Sequence, residues 1–87
     1  MREVPGPDGE MISKREAFER ALTEDTTIAR VEIGLTVIHA DWTGDAAWPF
    51  AVHVWEGDDW VHRIWCRTRE SALAAFEREV EMVKQAV

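Results

Sequence analysis

The sequence predicts an α+β domain of order α-β-β-β-α: a three-stranded antiparallel meander with two terminal helices packed on one face. Three observations lead there. A capping box opens a run of helical spacing at residue 13, a period-two run follows from residue 28, and residues 68–87 return to helical spacing. A chain of 87 residues supports a single core, so one domain is expected over residues 11–87. Residues 1–10, MREVPGPDGE, hold two prolines, two glycines and no apolar period. They are expected to be a disordered arm.

The first helix is expected at about 13–24. In SKREAFERAL the Ser13 hydroxyl can accept from the Glu16 amide while the Glu16 carboxylate reaches back to Ser13. Ala17, Phe18, Ala21 and Leu22 then form a narrow apolar stripe facing a core. After Thr26 the period changes. Ala29, Val31, Ile33, Leu35 and Val37 alternate with Arg30, Glu32, Gly34 and Thr36, the pattern of a half-buried strand, and Gly34 within it suggests a bulge or bend. From Ile38 onward Ile38, Ala40 and Trp42 place apolar groups on the other face, which reads as a strand end covered on both sides.

Residues 42–47 read as a turn, and Trp48-Pro49 opens a second strand that runs to about Trp55. The third strand is Trp60 to Cys66. Thr68 is an N-cap candidate for the last helix, whose Leu73, Phe76, Val80, Val83 and Val87 recur at 3-4-3-4 spacing.

Between the second and third strands the chain reads VHVWEGDDWVH, nearly a palindrome around Glu56-Gly57-Asp58-Asp59. A two- or four-residue loop pairs Trp55 with Trp60 and His53 with His62; a three-residue loop groups Phe50, Val52 and Val54 with Trp60, His62, Ile64 and Cys66 instead. The mirror and Gly57 favour the first register. His53 and His62 then supply two imidazoles, whereas zinc takes three or four protein ligands. Cys66 stands about 13 Å along the strand from His62, and His39 approaches His53 only if the register allows. No metal and no cofactor are therefore expected.

Seventeen acidic and ten basic residues give a net charge of −7, which opposes contact with phosphate backbones and favours basic protein surfaces. From Glu32 to His62 there are six carboxylates and no Lys or Arg. Cys66 is the sole cysteine, so no internal disulfide forms. No apolar run approaches the roughly 20 residues of a membrane span, and the N-terminus lacks the order of a signal peptide. A cytoplasmic setting follows as the expectation. With no triad, phosphate loop or paired carboxylates, an enzyme is not expected.

The expected function is a non-catalytic inhibitor or adaptor that engages a basic surface of a protein partner, such as a nuclease or a nucleic-acid-binding complex. Phage anti-defence proteins, antitoxins and immunity proteins are similar in size and charge. The contact residues are expected to be His53, Trp55, Glu56, Asp58, Asp59, Trp60 and His62, with a second acidic stripe of Glu70, Glu77 and Glu81 on the last helix. A small ligand- or peptide-binding module on the Trp/His face, and a homodimer, are the alternatives.

Overall fold

The computed structural model describes residues 3–86. Its elements are β1 (Glu3–Pro5), β2 (Met11–Ser13), α1 (Lys14–Thr23), β3 (Thr27–Ile33), β4 (Thr36–Trp42), β5 (Phe50–Glu56), β6 (Asp59–Cys66) and α2 (Arg69–Ala86). Strands β3-β4-β5-β6 form an antiparallel meander in chain order, and β1 and β2 form a separate two-stranded sheet. The α+β class is as expected. The details differ in three places, each with a physical reason.

First, the long strand expected from residue 28 is a hairpin. Gly34-Leu35 is a two-residue turn between the paired residues Ile33 and Thr36, and Gly34 has φ of 61°. Positive φ at the first of two turn residues is the type II′ requirement that Gly meets without strain. The sheet accordingly has four strands. Crossing the turn reverses the parity of the inward residues, so Ala29 and Val31 on β3 share a face with Ile38, Ala40 and Trp42 on β4. What reads in the sequence as an end covered on both sides is one inward face continued through a turn.

Second, the expected disordered arm contributes a hairpin. Val4 pairs with Ile12 and is fully buried, and the loop closes through Gly6 N–H to Glu10 O at 2.6 Å. Two short strands are marginal alone. Here they are anchored from outside: the Trp42 indole N–H donates to Pro5 O at 2.7 Å, and Arg69 Nε donates to Pro7 O at 3.0 Å.

Third, the two helices do not share the sheet face. The Ser13 hydroxyl caps α1 by accepting from Glu16 N–H at 3.2 Å, as expected, but α1 packs on β1 and β2. Of its stripe only Ala17 is buried, while Phe18 and Leu22 are exposed. The sheet is covered by α2, which contacts all four of its strands. Thr68 caps α2, its hydroxyl accepting from Ser71 N–H at 3.1 Å. The inward face of α2 carries Ala72, Ala75 and Glu79, with Phe76, Val80 and Val83 alongside. Val87, expected to continue this stripe, lies outside the described residues. No described helix is long and apolar enough to cross a membrane.

The core thus runs from Val54 and Ile38 through Val52 and Ala40 to Phe50, Cys66 and Trp42, where it meets Val4 and Ala17. At that corner Gly44 has φ of 75°, and a Cβ on it would lie 3.0 Å from Ala21 Cβ and 3.3 Å from Ala17 O. The loop approaches α1 this closely only because it carries glycine there.

Trp42→Phe removes the indole donor and leaves the Pro5 carbonyl without its partner. Urea denaturation is expected to show a loss of about 1–3 kcal/mol, with amide exchange accelerated first in residues 3–13. Unchanged stability and exchange would mean that this bond does not anchor the N-terminal hairpin.

Candidate functional site

Strands β5 and β6 are joined by Gly57-Asp58, a second two-residue turn, in which Gly57 has φ of 62°. Glu56 pairs with Asp59 and Trp55 with Trp60, as the mirror register expects. The ladder then slips by one residue. Beyond the turn Val54 pairs with His62, His53 with Arg63 and Val52 with Ile64, so Val61 is the extra residue of a β-bulge. Both expected registers are realised, one on each side of the bulge. His53 does not face His62, because each side chain of β6 after Val61 has changed faces.

The face of the sheet turned away from α2 can be read row by row, since cross-strand partners and residues two apart share a face. Val37, Trp55 and Trp60 form the row nearest the turns. Arg30, His39, His53 and Arg63 form the middle row, and Asp41, Ala51 and Trp65 the next. Trp60 and Trp65 are 52% and 48% exposed. The Arg63 guanidinium stands between them, 5.9 Å and 5.1 Å from their ring centroids, a cation–π arrangement.

Three polar side chains cluster in the middle of this face. The His39 and His53 rings stack with centroids 4.8 Å apart. Asp41 receives both: its Oδ2 lies 2.7 Å from His39 Nδ1 and 3.4 Å from His53 Nε2. Arg63 Nε donates to His53 Nδ1 at 3.1 Å. A ring nitrogen facing a carboxylate carries the proton and one facing an N–H does not, so His53 is arranged as the Nε2–H tautomer. Burial pushes the His53 pKa below the free imidazole value, with His39 and Arg63 adding to the shift and Asp41 opposing it. The sequence expectation brings His39 toward His53 but does not place Asp41 with them. The signal was present, because residues two apart on a strand, as in His39-Ala40-Asp41, share a face.

The remaining expected site residues separate. Glu56, Asp58 and Asp59 are exposed at the hairpin tip beside the equally exposed Leu35, to which the tip is tied by Gly57 N–H donating to Leu35 O at 2.8 Å. Trp55 is half-buried next to them. His62 points inward, where its Nε2 lies 2.6 Å from Oε1 of Glu79, a carboxylate only 8% exposed. It lies on the α2 side of the sheet, apart from Trp60 and Trp65, and its side chain is still 42% exposed. Glu70, Glu77 and Glu81 are exposed on α2, on the opposite side of the sheet from the tryptophans. One flat partner cannot cover both. Cys66 is buried, its Sγ 4.0 Å from Ile64 O, and burial pushes its thiol pKa up, the reverse of what activates a nucleophile.

Two expectations follow. Replacing His62 by Ala leaves the Glu79 carboxylate buried without its partner, and denaturant melts should show a loss of about 1–3 kcal/mol; an unaltered midpoint would show that water serves Glu79 equally well. Iodoacetamide at pH 8 should label Cys66 slowly in the native protein and rapidly in urea; equally fast labelling in both states would contradict its burial. Compared with known proteins, the chain matches no family model, no curated protein and no solved structure.

Proposed function

We propose that the protein is a non-catalytic binding module, an inhibitor or adaptor that docks on a basic surface of a protein partner through the β5–β6 hairpin and the open sheet face beside it. The observation that carries this reading is the pairing of two features at one end of the sheet. Three carboxylates, Glu56, Asp58 and Asp59, project from the tip, and half-exposed Trp60 and Trp65 continue from it along the edge strand. Tryptophan and arginine are the residues most enriched at binding hot spots, and Trp60, Arg63 and Trp65 stand together here. The carboxylates act before contact. Their fields add and steer a basic partner until screening cuts them off beyond roughly 8 Å at physiological salt.

A basic nuclease or nucleic-acid-binding complex is the partner class that such a charge distribution fits, with His62 and the α2 stripe outside the contact. A second reading, capture of a small ligand or peptide by the open face, draws on the Trp60–Arg63–Trp65 stack alone and gives no part to the acidic tip.

Affinity capture from the source cell with wild-type protein and with Glu56→Lys, Asp58→Lys, Asp59→Lys combined separates the two. The triple variant is expected to lose the partner through slower association, and Trp60→Ala to lose it through dissociation faster by about thirtyfold, the equivalent of about 2 kcal/mol for a hot-spot residue. The wild-type complex should weaken steeply between about 0.05 and 0.5 M salt. Equal recovery by wild type and triple variant would sink the acidic-tip mechanism, and salt-independent binding lost only in Trp60→Ala would favour the ligand reading.

A further inference from the structure

We propose that His39, Asp41 and His53 form a binding site for one borderline divalent transition-metal ion, zinc in the first instance, at the centre of the open sheet face. The inference is independent of the partner reading. Its basis is that one donor atom from each residue lies within 4.8 Å of the other two, on two neighbouring strands that hold the residues in register as the direct pair His39 and His53 with Asp41 two residues along.

The donor set selects the ion. Two imidazoles and one carboxylate suit zinc and its neighbours, whereas magnesium and calcium take oxygen ligands. Three protein ligands leave a fourth tetrahedral position for water or an incoming donor. A tetrahedral ion with bonds of about 2.0 Å sets its donors roughly 3.3 Å apart. The His53 Nε2 to Asp41 Oδ2 distance of 3.4 Å already matches. The 2.7 Å separation between His39 Nδ1 and Asp41 Oδ2 is a hydrogen bond, and it opens when the ion takes the place of its proton. The three side chains are partly buried, 15–24% exposed, so little water has to leave and the strands limit their motion.

Binding requires two tautomer changes and one displacement. Starting from neutral imidazoles, the Nδ1 proton of His39 moves to Nε2 and the Nε2 proton of His53 moves to Nδ1, so that the two lone pairs meet the ion. Once His53 Nδ1 carries a proton it cannot accept from Arg63 Nε, which now donates to it at 3.1 Å. Arg63 must leave. Its own side chain is exposed, and it is already within cation–π distance of Trp60 and Trp65, so release needs no change in the sheet. Arg30, opposite His39, is paired with Glu32 at 2.7 Å, which leaves Arg63, among the described residues, as the cation competing for the site.

The test uses untagged, metal-free protein titrated with zinc chloride in a calorimeter, followed in parallel by tryptophan emission because displacement of Arg63 alters the surroundings of two indoles. The expected result is one zinc per chain, with His39→Ala and Asp41→Asn each weakening it at least about tenfold. Arg63→Met, which removes the competing donor and its charge, should bind zinc more tightly than wild type. A His62→Gln control should bind as wild type does. Circular dichroism of each variant confirms that the sheet is intact. Absence of binding by the folded wild-type protein overturns the proposal, as does binding that survives both His39→Ala and His53→Ala, or binding weakened by loss of Arg63.

Discussion

The arrangement depends on where Trp42 is placed. It is the last inward residue of β4, 2% exposed, and its indole meets four other parts of the chain. Its N–H holds β1 through Pro5 O, Arg20 of α1 lies 5.8 Å over its ring, and Gly44 packs against it from the loop that leads to β5. Phe50, its cross-strand partner, continues the core. A large ring that needs a hydrogen-bond partner for its one polar atom thus draws residues 3–23 to this end of the sheet. With α1 committed there, α2 alone covers the meander, and the other face is left for tryptophans, arginines and the His39–Asp41–His53 cluster.

Much of this was legible. The Ser13 half of the capping box, the Thr68 cap and the α+β class could be read because each rests on short-range chemistry. The change in parity between Ile33 and Ile38 was also visible, but Leu35 and Val37 continued the old alternation and concealed the turn. Leu35 turns out to be the tip residue, 78% exposed, and Val37 belongs to the open face. The N-terminal hairpin was not legible. Its order derives from Trp42 and Arg69, thirty-seven and sixty-two residues away from their acceptors, and no local pattern in MREVPGPDGE encodes them.

The site was legible only as far as the bulge. The mirror in VHVWEGDDWVH correctly paired Trp55 with Trp60, because turn chemistry at Gly57 sets the first rungs. It misassigned the histidines, because the slip at Val61 is carried by no glycine or proline. On the far side the slip turns His62 toward α2, where its Nε2 lies 2.6 Å from Oε1 of the buried Glu79. The carboxylate that meets the inward His62 stands seventeen residues away in the chain, and the sequence near the hairpin does not record that contact.

The bulge has a consequence for how the molecule behaves among its own copies. Strand β6 is an edge of the sheet and carries exposed Trp60, Val61 and Trp65, the composition from which edge-to-edge stacking and fibrils grow. A neighbouring strand adding to that edge needs an uninterrupted ladder of amides at regular spacing. The extra residue at Val61 breaks the repeat and twists the strand between the first tryptophan and the second, and Arg63 places a charge in the gap. The extra residue that sets the faces of β6 thereby also opposes strand addition along this exposed, apolar edge.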